Sequence, residues 1–204
     1  MTRTVFLDRD GTLNRDTGYL GDPSKLEMLP GAAQAVARLH EAGFRIVVTT
    51  NQSGIARGFY GESDLARVHE RMHEQLNRLP LAYLHCPHHP SPAPPDSSLP
   101  AGGSAGCSAG GYAVECSCRK PKAGLVARAT SLLAPFGVST RGAVTIGDSA
   151  RDLLMTADFE ATRILVRCGK PVEEQRRKLA AAHLAPDAET ADLAEAVDWL
   201  LARG

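Results

Sequence analysis

Along the first half of the chain, short unbroken apolar runs alternate with longer stretches in which apolar residues return every third or fourth position. The run TVFL (residues 4–7) stops at charge. In PGAAQAVARLHEAG (30–43), Pro30 stands near a helix start and Gly43 just past its end, with apolar positions at helical spacing between them. FRIVVTT (44–50) is a β-branched run, the composition of a buried strand. GESDLARVHERMHEQLNRL (61–79) predicts an amphipathic helix N-capped by Ser63, with Leu65, Val68, Met72, Leu76 and Leu79 as its apolar stripe. LAYLHC (81–86) is a third strand. Beyond residue 120 the rhythm resumes: a helix over about 123–134, the strand AVTIGD (143–148), a helix over about 150–158, the strand RILVRC (163–168) and two Ala-rich helices. Strands separated by helices imply βαβ units. The expected fold is therefore α/β, a parallel sheet with helices on both faces.

One segment breaks the pattern. Residues 90–111, PSPAPPDSSLPAGGSAGCSAGG, are almost all Pro, Ser, Ala and Gly, with few side chains able to bury area. They read as a flexible insertion of about 90–111 within a single domain of residues 1–204, either inert or a mobile cover. Cys107 inside it reads as a bystander thiol. The 204 residues suffice for one domain with a sizeable core. Lys plus Arg (23) equals Asp plus Glu (23), so charge points to neither a nucleic-acid partner nor a membrane surface. No stretch approaches the roughly 18 apolar residues of a membrane span, and MTRTVFLDRD lacks the apolar run of a secretory signal. The cytoplasm is the expected compartment and a monomer the expected state. There the five cysteines are plain thiols or metal ligands rather than disulfides.

Chemistry gathers at the strand ends. In FLDRDGTLN, Asp8 and Asp10 follow the first strand within a Gly-containing turn. Two such carboxylates can converge on Mg²⁺, and one can act as nucleophile while the other serves as general acid and base. They can also be no more than a polar turn. VVTTNQSG ends the second strand in Thr50, Asn51, Gln52 and Ser53, which supply hydroxyl and amide donors, and Gly54 can open backbone N–H groups to an anion. VTIGDSARD ends a later strand in Asp148, with Asp152 four residues on, as either a metal site or a helix cap. Three such strand ends in order on one sheet point to a ligand at its carboxyl edge.

These motifs, D-R-D-G-T (8–12), the strand-end Thr50, the basic Lys120 and G-D-S-x-x-D (147–152), resemble the haloacid dehalogenase superfamily of phosphatases. The resemblance implies a Rossmann-like sheet. It implies Asp8 as nucleophile, Asp10 as acid and base, and Thr50 and Lys120 on the transferring phosphoryl group. Mg²⁺ would be held by Asp8, the Asp10 backbone carbonyl and Asp148.

The remaining cysteines fall into pairs. Cys86-x-His88 and Cys116-x-Cys118 offer four ligands suited to tetrahedral Zn²⁺, a closed structural site on a loop of about 86–118. His89 could face solvent or substrate. Cys116 and Cys118 would also fix the backbone of Arg119 and Lys120, which follow at once. With C-x-H…C-x-C-R-K-P, the chain is similar to the heptose bisphosphate phosphatases and their histidinol-phosphate relatives, the branch with little or no cap domain. That similarity implies a small sugar phosphate as substrate, touched by Asp16, Gly18 and Tyr19 of D-T-G-Y, by the TNQS segment (Asn51, Gln52, Ser53) and by Arg119. The preferred anomer, and with it service to a lipopolysaccharide core or to a nucleotide heptose, stays open. A zinc-stabilised binding module without catalysis is the alternative from another class.

Overall fold

Six strands form one parallel sheet in the order β3-β2-β1-β4-β5-β6. The computed structural model describes residues 3–91 and 111–203. The strands are β1 (Arg3–Asp8), β2 (Arg45–Asn51), β3 (Ala82–Cys86), β4 (Ser139–Gly147), β5 (Ala161–Val166) and β6 (Ala188–Thr190). The α-helices are α1 (Ala32–Glu41), α2 (Glu62–Gln75), α3 (Gly124–Leu133), α4 (Ala150–Leu154), α5 (Val172–Ala181) and α6 (Leu193–Leu201).

The sheet is apolar on both sides because helices cover both. Val5, Leu7, Ile46 and Val48 pack toward α1, α2 and α6, whereas Phe6 and Val47 point the other way onto α3. Continuous apolar runs such as FRIVVTT follow from that double burial. The α2 stripe buries Leu65, Val68, Met72 and Leu76, with Leu79 packed at its margin. A third cluster joins α4 to α5 through Leu153, Leu165 and Leu179.

Several boundaries differ from expectation. Ser63 does not cap α2: Gly61 is the N-cap, and its N–H donates to Asp64 Oδ2 at 2.8 Å. The acid at the third helical position supplies the carboxylate, so a serine cap is not needed. The helix expected over about 150–158 stops at Leu154, a short element whose start is fixed by the Ser149–Asp152 capping box. β6 lay unseen between the last two helices, being three residues long without an apolar run. The proposed insertion, Cys107 included, falls almost wholly outside the described residues. Among the described residues no helix is long and apolar enough to cross a membrane, and no second domain covers the sheet edge.

The strand order sets where a ligand fits. The chain leaves β1 for β2 on one side and later returns to β4 on the other. A crevice opens where the order reverses, outside the carboxyl ends. Register levels those ends: Asp8 pairs beside Thr49, and Leu7 beside Ile146.

Leu125 is wholly buried between α3 and the sheet. Leu125→Ala should cost about 2–5 kcal/mol in denaturant unfolding. Phe136→Ser, at a side chain 76% exposed, should stay within about 0.5 kcal/mol.

Candidate active site and metal centres

Three carboxylates meet at the β1–β4 crevice. Asp8 ends β1, Asp148 follows β4 directly, and Asp152 sits in the first turn of α4. Oxygens of all three lie within 4.8 Å of one another. Local structure fixes each. Asp152 Oδ2 accepts the Ser149 N–H at 3.0 Å while Ser149 caps the helix. Asp148 Oδ2 accepts the Lys170 N–H at 2.9 Å. Gly11 and Gly169 press against the Asp148 carboxylate, where a Cβ at either would collide with it; Gly11 also has φ +88°.

One cation serves this trio. The Lys120 ammonium lies 2.6 Å from Asp8 Oδ1 and 2.6 Å from Asp152 Oδ1, and donates to the Thr49 carbonyl at 2.8 Å. Burial alone would weaken its proton affinity, but Asp152 and Asp8 outweigh burial and keep it charged. Burial and then Asp152 push the Asp8 carboxyl well above its ordinary range, despite the ammonium beside it. The same two causes push Asp148 up to about 7. Lys170 also acts on Asp148 but is paired with Asp16, so the trio is left short of positive charge. An oxygen-lined site of that kind fits a hard divalent cation.

Asp10 faces a different set of partners and does not belong to the trio. Its carboxylate takes both nitrogens of the Arg9 fork at 2.8–3.2 Å, Asn14 Nδ2 at 3.1 Å and Gln52 Nε2 at 3.0 Å. Burial raises its proton affinity, but Arg9, Asn14 and Gln52 together hold the carboxyl below the usual range. Arg9 is 1% exposed, and its other neighbour is His69, at 3.3 Å. Burial drives the His69 pKa down to about 2, so the ring is neutral and can accept from Arg9. Sequence reasoning missed Arg9 and His69. Arginine between two aspartates after a strand looks like a solvated charge, and only the packing reveals otherwise.

The cavity above these groups holds about 340 Å³. Asp8, Asp10, Asp16, Gly18, Tyr19, Thr50, Asn51, Ser53, Arg119, Lys120 and Asp148 all line it. Gln52 does not. It lies behind, donating to Asp10 and Thr50 and accepting from Tyr60 at 2.5 Å. Ser149, Arg151, Asp152 and Lys170 complete the wall. Lys170, which no motif had marked, pairs with Asp16. Tyr19 rests on Phe59 with ring centroids 4.5 Å apart.

Cys86, His88, Cys116 and Cys118 converge on one another. Cys86 Sγ lies 3.5 Å from Cys116 Sγ, Cys118 Sγ lies 3.4 Å from Cys116 Sγ, and His88 Nδ1 lies 3.3 Å from Cys118 Sγ. These separations approach the edges of a tetrahedron around a cation with metal–sulfur bonds of about 2.3 Å. None of the four thiol and imidazole groups lines the cavity, and the three cysteines are free thiols. His89 points elsewhere: Nε2 meets Arg57 at 3.3 Å, and Nδ1 accepts the Ser91 N–H at 3.1 Å. Arg119 donates to the His88 carbonyl at 3.3 Å, which ties the cavity rim to the quartet.

The HAD-hydrolase-like family model matches residues 117–196. The chain is 36% identical over 180 residues to a D-glycero-beta-D-manno-heptose-1,7-bisphosphate 7-phosphatase of Vibrio cholerae, covering 86% of this chain and 87% of that protein. A protein of the same name from Haemophilus ducreyi is 34% identical over 184 residues, with 87% and 90% covered. Among solved structures, D,D-heptose 1,7-bisphosphate phosphatase from B. bronchiseptica, complexed with magnesium and phosphate, superposes with a TM-score of 0.72 at 30% identity, covering 100% of both chains.

A carboxyl that holds its proton up to about pH 7 must release it to bind a cation. Mg²⁺ affinity should therefore climb between about pH 5.5 and 7 and level off above. The folded state keeps a proton that the unfolded chain gives up near pH 4. The metal-free protein should thus lose stability as pH rises from about 4 to 7. Calorimetric Mg²⁺ titrations at about pH 5.5, 6.5 and 8 test this, and an affinity flat across them would remove Asp148 as the linked group.

Proposed function

The chain belongs to the haloacid dehalogenase-like hydrolases, and on that footing we propose that it is a Mg²⁺-dependent phosphatase removing the C7 phosphate of a D-glycero-D-manno-heptose 1,7-bisphosphate. The observation that carries the chemistry is the carboxylate trio sharing one lysine at the β1–β4 crevice. The relatives' names support the substrate, and they favour the heptose over histidinol phosphate. The retained nucleophile and acids argue against a zinc-stabilised binding module without catalysis.

In this reading Asp8 attacks phosphorus in line and forms an aspartyl-phosphate. Asp10 donates a proton to the leaving alkoxide. It then takes one from the water that hydrolyses the intermediate. The resting pair with Arg9 leaves Asp10 ionised, the form suited to the second step. A dianionic phosphate arriving beside it opposes Arg9 and raises its proton affinity for the first. Thr50 and Lys120 hold the phosphoryl oxygens. Mg²⁺ would sit with Asp8, the Asp10 carbonyl and Asp148, supplying charge neutralisation to a reaction governed by positioning and electrostatics. Asp16, Gly18, Tyr19, Ser53 and Arg119 meet the sugar and its second phosphate. Zn²⁺ held by Cys86, His88, Cys116 and Cys118 is structural. Bound there, it would fasten the segment that carries Arg119 and Lys120. The protein works as a single domain in the cytoplasm, as a monomer acting on a small molecule.

Phosphate release from the β and α heptose bisphosphates and from histidinol phosphate, with and without Mg²⁺, tests the reading; faster turnover of histidinol phosphate would overturn the substrate. Asp8→Asn should abolish turnover. Because it removes one of three crowded carboxylates, its Tm should hold or rise; measurable steady-state turnover would rule out Asp8 as nucleophile. Zinc removal by a chelator, with Mg²⁺ then restored, should lower both Tm and kcat, although no zinc ligand lines the cavity. Unchanged turnover in the zinc-free protein would separate the quartet from catalysis.

A further inference from the structure

Asn51 lines the cavity, where a carboxamide invites a substrate contact. Its hydrogen bonds point backward instead. Nδ2 donates to the Lys120 carbonyl at 3.1 Å, and Oδ1 accepts the Lys120 N–H at 3.0 Å. A carboxamide matches a residue's peptide donor and acceptor one for one, so this pair is a rung of β-ladder made by a side chain. The rung has a firm anchor. Asn51 ends β2 in register with Cys86 of β3, and the next N–H, of Gln52, donates to the Cys86 carbonyl at 2.8 Å.

The side chain of Lys120 then runs back along the same strand, and its ammonium donates to the Thr49 carbonyl at 2.8 Å. Lys120 is therefore tied to β2 at both ends, by its backbone at residue 51 and by its ammonium at residue 49. Two residues of strand span about 6.6 Å, a distance an extended lysyl chain bridges with little slack. The cysteine quartet restrains the same segment from the other side, since Cys118 lies two residues before Lys120.

We propose that Asn51 is a positioning residue for Lys120, acting on turnover by setting where the ammonium lies and not by touching the substrate. The inference rests on the role of Lys120 given above. Displacement of a catalytic group by about 1 Å can cost on the order of a hundredfold in rate.

Asn51→Ala should lower kcat/KM about thirtyfold, and by the same factor for the heptose bisphosphate and for p-nitrophenyl phosphate, which share only the phosphoryl group. A loss confined to the sugar bisphosphate would overturn the proposal. In a Lys120→Arg background, where the ammonium is gone, adding Asn51→Ala should cost less than about twofold. A full repeat of the thirtyfold loss would make Asn51 an independent phosphoryl contact and sink the idea. Asn51→Asp keeps the oxygen that accepts from Lys120 and loses the donor, so it should fall between wild type and Asn51→Ala. It carries both comparisons should the alanine variant fail to fold. Wild type that cleaves the aryl phosphate but not the heptose bisphosphate would refute the substrate reading and leave this test intact.

Discussion

The ammonium of Lys120 is the one charge on which the site depends. It is 3% exposed and lies 2.6 Å from two carboxylates that belong to different elements, Asp8 at the end of β1 and Asp152 in α4. Without it, three buried acids would face one another across the crevice. A buried ion pair earns little net stability once both charges have left water. Its worth here is geometric: it draws together the ends of strands that meet only because the sheet order reverses between β1 and β4. The arrangement is also incomplete, since Lys120, with Lys170 tied up by Asp16, does not balance three carboxylates. The raised proton affinities of Asp8 and Asp148 record that shortfall, which a divalent cation would remove.

How much of this was legible in the sequence depended on whether a residue's identity fixes its partner. Apolar runs and helical periodicity located five of the six strands and the sheet's double burial. β6 escaped because three residues carry no periodicity. Asp8, Asp148 and the cysteine quartet could be singled out because a candidate metal site restricts both residue type and spacing, and the fold brings each group together. Asn51 and Gln52 were found as residues but not as contacts. An amide at a strand end can turn to a ligand or to its own backbone, and the sequence looks the same in either case. Lys170 was missed because its partner Asp16 lies 154 positions away in the chain.

Arg9 shows the deepest limit. Its guanidinium is buried, and the charge is tolerated because Asp10 accepts both nitrogens of its fork and His69 stays neutral beside it. A fork that pairs bidentately with a carboxylate fixes the plane of that carboxylate as well as its charge. Lysine would keep the charge and lose the plane. The residue between the two motif aspartates thus fixes the Asp10 carboxylate, although it does not itself line the cavity.

Two independent fastenings act on one short segment. With a metal bound, the cysteine quartet would restrain the chain up to Cys118, and the Asn51 rung holds it at Lys120. The two act at different points, the cluster two residues before Lys120 and the rung at Lys120 itself. Together they replace the packing that a strand or helix would give, in a stretch that belongs to neither. Lys120 lies on that stretch, between the quartet and α3. The site needs a cation that reaches between the carboxyl ends of β1 and β2 from outside the sheet, and no strand of the sheet can deliver one from there. The thiols and the carboxamide therefore do for this loop what hydrogen-bonded ladders do for the strands around it.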